Sequence, residues 1–102
     1  GKYYMITSGC TGWAPNEARW AVSDRPDGGW ILMGNPCSGE NAEVTFLCQA
    51  TCAFRSRSGH TLLLDKWNSA DLPDSRYLML CVEFDGDAPA VRWRDAYLPE
   101  KL

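Results

Sequence analysis

Apolar and polar positions alternate in short runs along most of this chain, and the runs are separated by Gly, Pro, Asn, Asp and Ser. Lys2 to Ser8, "KYYMITS", alternates weakly between Gly1 and Gly9. Ala18 to Ser23, "ARWAVS", precedes the turn sequence "DRPDGG" and then "WILMG". This predicts a β-hairpin with Gly28 and Gly29 supplying positive φ. After the polar loop "NPCSGENAE", Val44 to Phe54 reads as one long strand, which "RSRSG" turns into His60 to Trp67. The loop "NSADLPDS" leads to Arg76 to Phe84, and "DGDAP" turns that run into Ala90 to Leu98, "AVRWRDAYL". Nowhere does a 3.6-residue apolar period persist beyond two turns, so the pattern predicts an all-β, antiparallel chain of about seven strands.

The pattern also repeats. Gly1, a strand, Trp13, a polar loop, Arg19 with Trp20, a strand, Gly28-Gly29 and a strand form one unit. Gly59, a strand, Trp67, a polar loop, Arg76 with Tyr77, a strand, Gly86 and a strand form the next, at an offset of about 57 residues. Units of three or four strands at such a period are the signature of β-propeller blades, each too small to bury its faces without neighbours. Residues 1–102 are therefore expected to form a single partial-propeller unit. Within it, 1–43 would be an incomplete blade lacking its innermost strand, and 44–99 a complete blade with Val44 to Phe54 innermost. Two blades do not close a propeller. Such a chain would leave a strand edge and blade faces uncovered, so association with itself or with a partner is expected.

Composition narrows the function classes. With 102 residues, 45 % apolar, 23 % charged and a net charge of -3, the chain has the make-up of a small globular domain. Ten Lys and Arg are interspersed with thirteen Asp and Glu, which leaves no basic stripe for nucleic acid. No apolar run approaches the roughly 18 residues of a membrane span. The start, "GKYYMITSG", lacks an initiator Met and a signal-peptide layout and enters at once into strand-like sequence, as expected of a chain cut from a larger parent. Of the tryptophans at 13, 20, 30, 67 and 93, Trp13 lies on a loop, the placement that suits ligand contact rather than packing.

Five cysteines make an odd set. Cys48 and Cys52, four apart on a predicted strand, stand about 13 Å apart, too far for a disulfide. With His60 as the one histidine, zinc spacing is absent. Cys10 and Cys37 both sit in turn-like surroundings, where a disulfide clipping two loops and a pair of small buried hydrophobes are both open readings.

The ordered series "GKYYMITSGCTGWAPNEARWAVSD", "GGW", "MGNPC", "TFLCQAT", "DKWNSADLPDSRY" and "VRWRD" resembles the C-terminal two-fifths of glycoside hydrolase family 43. The nearest subset acts on galactans and arabinogalactans, as exo-β-1,3-galactanases do. The resemblance runs over nearly the whole chain and implies a five-bladed β-propeller parent, of which this chain would be blades four and five. It also implies glycosidic hydrolysis with inversion, which needs one carboxyl to protonate the leaving oxygen and a base across the sugar to activate water. In the family pattern the general acid is a Glu on the strand ahead of the segment matching "GKYYMITSG". Further carboxylates come from the first blades.

Within this chain Glu17, Asp24, Asp27, Asp71, Asp74, Glu83, Asp85 and Asp87 read as turn and strand-edge charges, not as a replacement pair. By the resemblance, Gln49 matches an amide on the innermost strand of the last blade that orients water or sugar hydroxyls. Thr11 and Trp13, in "GCTGW", match a loop lining the same pocket, the hydroxyl bonding a sugar OH and the indole stacking on the ring. The family keeps His two residues before the glutamine, where it helps hold a central cation, and Ser next to it. Here those positions are Leu47 and Cys48. No cofactor is therefore expected, and no metal among the thiols.

The expected function is the C-terminal part of a family 43-like enzyme hydrolysing β-galactan or arabinogalactan side chains, inactive as this chain alone. The resemblance implies an extracellular or periplasmic setting, with a galactan-type carbohydrate as partner. The alternatives are a half-propeller acting as a carbohydrate-binding or structural self-associating module, and a cysteine-based redox or metal protein.

Overall fold

The structure, a computed structural model, describes residues 1–95. The strands are β1 (Tyr3–Thr7), β2 (Arg19–Ser23), β3 (Ile31–Gly34), β4 (Cys37–Ser38), β5 (Gln49–Ser56), β6 (Gly59–Lys66), β7 (Arg76–Asp85) and β8 (Ala88–Arg92). They form a three-stranded sheet, ordered β1-β2-β3, and a five-stranded sheet, ordered β4-β8-β7-β6-β5. Neighbours are antiparallel except the short parallel pair of β4 with β8. The repeat seen in the sequence is visible here, with β1, β2 and β3 corresponding to β6, β7 and β8. Among the described residues no helix is long and apolar enough to cross a membrane.

Alternation explains β6 and β7. Leu62 pairs with Leu80 and Leu64 with Leu78 on one face of the sheet. Leu62, Leu64, Leu80 and Val91 lie at the centre of the core with almost no exposure. Ala18 reaches this core from the chain just before β2, with Ile6 packed beside it, so the first sheet closes onto the second. Tyr4 adds an edge-on contact to Phe84, ring centroids 5.1 Å apart.

The long strand expected over Val44 to Phe54 is corrected. Ala42–Leu47 form a kinked 3-10 segment, and the strand starts only at Gln49. Thr45, Phe46 and Leu47 carry φ of 50°, 57° and 66°, a left-handed run that costs about 1–2 kcal/mol per residue with an L side chain. Tertiary contacts hold it there against the strand propensity of Val44 and Thr45. The Phe46 N–H donates to the Asn41 carbonyl at 2.8 Å, and the buried Phe46 ring packs near Trp93.

The last strand begins at Ala88 and ends at Arg92, earlier than expected, and beyond it the Trp93 indole N–H donates to Asp95 at 2.9 Å. The final residues expected in that strand, 96–98, and the end of the expected blade at 99 lie outside the described residues. At the β2–β3 turn Gly29 has the expected positive φ, 69°, whereas Gly28 does not, because Gly28 bridges to Arg25.

Candidate functional site

The loop from Gly9 to Asn16 folds onto the start of β5, and a buried asparagine organises it. Asn16 accepts from the Gly9 N–H at 2.7 Å and donates from Nδ2 to Thr11 Oγ1 at 3.0 Å. Its backbone spans to the second sheet: the Asn16 N–H donates to the Cys48 carbonyl at 3.4 Å, and Thr45 Oγ1 donates to the Asn16 carbonyl at 2.6 Å. The sequence alone does not single out Asn16. An Asn following Pro15 in a loop is a turn signal, but nothing local says that its partners lie 29 residues away.

Gln49 is drawn into the same loop. Its Nε2 donates to the Ala14 carbonyl at 2.8 Å and also to the Gly12 carbonyl. Both amide hydrogens are thereby committed, which leaves Oε1 to accept from anything else. Thr11 has a similar balance, since its hydroxyl donates to the Ala14 carbonyl at 2.8 Å while accepting from Asn16. Gly12, with φ of 66°, permits the tight turn between them.

Trp13 sits between the two carbonyls that Gln49 holds. It is 51 % exposed and packs on Trp67, ring centroids 4.7 Å apart. The three predicted site residues, Thr11, Trp13 and Gln49, are thus gathered in one corner. What they present is two acceptor oxygens and an indole.

The carboxylates are placed differently. Lys2 pairs with Asp24 at 2.7 Å and Arg76 with Asp74 at 2.7 Å; Glu83 is shared by Arg92 at 3.1 Å and Arg94 at 2.6 Å. The ammonium of Lys2 holds Asp24 below the usual carboxylate range, and the Arg76 guanidinium does the same for Asp74 with help from Asn68. A general acid needs the opposite shift. No group of three or more His, Cys, Asp or Glu among the described residues could hold a metal ion.

All five cysteines are free. The disulfide considered for Cys10 and Cys37 is absent because Cys10 is exposed on the Gly9–Asn16 loop, whereas Cys37 is buried where β4 starts. Burial pushes the Cys37 thiol up to about 11 and raises Cys48 as well, which makes both poor nucleophiles at neutral pH. Leu47, next to Gln49 in the chain but for Cys48, points outward from its left-handed backbone.

Comparison with solved structures decides the family. A family 43 β-1,3-galactosidase solved with galactodeoxynojirimycin superposes with a TM-score of 0.88 at 43 % identity, over 95 % of this chain and 29 % of its own. The chain belongs to glycoside hydrolase family 43. A second β-1,3-galactosidase of family 43 matches with a TM-score of 0.85 at 31 % identity, over 92 % of this chain and 21 % of its own. The exo-β-1,3-galactanase of Phanerochaete chrysosporium, solved with β-1,3-galactotriose, matches with a TM-score of 0.78 at 26 % identity, over 89 % of this chain and 21 % of its own. This family 43 chain therefore spans between a fifth and a third of the length of these relatives. Its two sheets, antiparallel apart from the short β4–β8 pair, are blades of the family's β-propeller, as the repeat implied. Family sequence models and curated protein sequences give no match.

Proposed function

We propose that this family 43 segment forms one wall of a galactan-binding site, with Gln49, Thr11 and Trp13 facing the sugar, and that it does not hydrolyse glycosides by itself. The supporting observation is a corner in which the Gln49 and Thr11 donors are committed and their oxygens are left to accept beside an exposed indole. It suits a ligand with hydroxyl hydrogens to give and an apolar ring face for Trp13. A pyranose brings both. The solved relatives act on β-1,3-linked galactose by name, so a galactan or arabinogalactan side chain is the substrate class we assign. Gln49 orients water or a sugar hydroxyl in this reading and does not itself remove a proton.

The carboxylates argue for a wall rather than a complete active site. Those of Asp24, Asp27, Asp74 and Glu83 are ion-paired with Lys or Arg, and Asp65, which faces Gln49 across the β5–β6 pair, is one carboxylate where inversion needs both an acid and a base. No central cation is assigned, because the exposed apolar Leu47 offers no ligand atom where the family pattern has His. Polymeric galactan is met outside the cell, which fits an extracellular or periplasmic setting.

The test is a titration of the chain with galactose, followed by intrinsic tryptophan fluorescence, beside an assay on β-1,3-galactan. Saturable binding that Gln49→Leu abolishes is expected, with no turnover. Measurable turnover by the chain alone would sink the argument from the carboxylates, and binding indifferent to Gln49→Leu would sink the site.

A second reading is favoured by one observation: Tyr3, Met5 and Leu32 lie on one exposed face of the three-stranded sheet, beside an open β1 edge. In this reading the chain associates with further copies of itself through that face. Light scattering that finds a monomer up to high concentration would overturn it.

A further inference from the structure

The aromatic surface that begins at Trp13 continues onto the second blade. Trp67 meets Trp13 with ring planes inclined at 58°, and it also borders a cleft of about 400 Å³ lined by Lys66, Asn68, Ser69, Asp74 and Arg76. The polar groups of this cleft are held in place by one another. Arg76 Nη2 meets Asp74 Oδ1 at 2.7 Å, and its Nη1 donates to the Asp74 carbonyl at 2.7 Å. Asn68 Nδ2 reaches Asp74 Oδ2 at 3.4 Å, while the Asn68 backbone N–H donates to Ser75 Oγ at 3.0 Å. The result is a carboxylate, a guanidinium and an amide converging beside an indole.

We infer that this cleft holds a second hexopyranose of the same sugar chain whose first unit meets Gln49, Thr11 and Trp13. The inference rests on the binding site proposed above and extends it. The two places differ in chemistry. The first corner offers acceptors, whereas the cleft offers an ionised acceptor in Asp74 together with donors from Arg76 and Lys66. Vicinal hydroxyls of a pyranose can accept and donate at once, and charge-assisted bonds to such groups are the strong ones. Trp67 covers the apolar face of that second ring as Trp13 covers the first. Because the two indoles touch, the two rings would lie close enough to belong to neighbouring residues of one oligosaccharide.

Length dependence tests this. Galactose, β-1,3-galactobiose and β-1,3-galactotriose are titrated into the chain and into Asp74→Asn and Trp67→Phe, with thermal melts to confirm that each variant is folded. The wild type should bind the disaccharide about tenfold more tightly than galactose, a gain of the size expected for one stacked, hydrogen-bonded ring. Asp74→Asn should remove most of that gain and leave galactose affinity unchanged. Asp74 is exposed, so its variant decides the matter even if Trp67→Phe does not fold. Equal affinity of the wild type for galactose and galactobiose would overturn the second subsite while leaving the Gln49 corner standing. So would an equal loss for both sugars in Asp74→Asn. Galactose binding that Gln49→Leu leaves untouched would instead overturn the first corner and, with it, this extension.

Discussion

β3 and β8 occupy the same place in the two repeats, yet their apolar residues meet opposite fates. Val91 in β8 is fully buried between β4 and β7, whereas Ile31, Leu32 and Met33 in β3 are 62 %, 65 % and 53 % exposed. By sequence β3, ILMG, is the more apolar of the two, and β8, APAVR, carries a proline and an arginine. The difference lies in what covers them: β8 is flanked on both sides, and β3 has β2 alone. A repeat in sequence therefore carries the strand pattern, but burial depends on the neighbours each strand acquires.

This contrast can be broken experimentally, most strongly in the core. Leu62→Ala or Leu80→Ala in the second sheet should cost about 2–5 kcal/mol by cavity formation, while Leu32→Ala in the first should change stability by no more than about 0.5 kcal/mol. Urea denaturation measures both. A Leu32→Ala cost approaching that of Leu62→Ala would mean that a second molecule covers that face in solution.

The join between the sheets should be nearly as sensitive. Asn16→Ala removes the acceptor for Gly9 and the donor to Thr11 inside a buried site, at a cost of about 1–3 kcal/mol. The loop it organises should then exchange its amide hydrogens faster than β6 and β7, as hydrogen exchange would show. An unchanged loop would place the organising role elsewhere.

The thiols separate the sheets by pH. The folded-state pKa of Cys37 is raised from 9.0 to about 11, so its contribution to stability is fully present below pH 9 and lost as pH rises through 11. The loss by pH 11 is about 2 kcal/mol, readable as a falling melting temperature that Cys37→Val should flatten. Cys10, exposed on the first sheet's loop, should react with a thiol reagent in the native state well before Cys37 does.

A smaller effect, of opposite sign, is expected at Leu47, where the backbone is left-handed and the side chain exposed. Leu47→Gly should stabilise by up to about 1 kcal/mol, because glycine adopts that conformation without steric cost. A loss of stability would show that the Leu47 side chain contributes packing that outweighs the strain.

Much of this was legible in the sequence, and the boundary is physical. β6 and β7 announce themselves because their alternation is local and both sheet faces have distinct surroundings. Gln49 stands out as the one amide in an apolar run, and Thr11 and Trp13 by their place in the motif series. The 3-10 segment before Gln49 was hidden, since Val44, Thr45 and Phe46 favour a strand in isolation, whereas Thr45 and Phe46 are left-handed in the fold, where they bond to Asn16 and Asn41. The contact between Trp13 and Trp67, two equivalent positions of the repeat, was equally hidden, because periodicity gives correspondence and not proximity.

The bonds from Asn16 to Cys48 and from Thr45 to Asn16 have a consequence for anyone recombining such propellers. The Gly9–Asn16 loop and the turn into β5 behave as two halves of one cassette. Transplanting either into another blade scaffold without the other would leave a buried carbonyl or N–H with no counterpart, so a chimera with its crossover between residues 16 and 45 should fold only when donor and recipient share both halves.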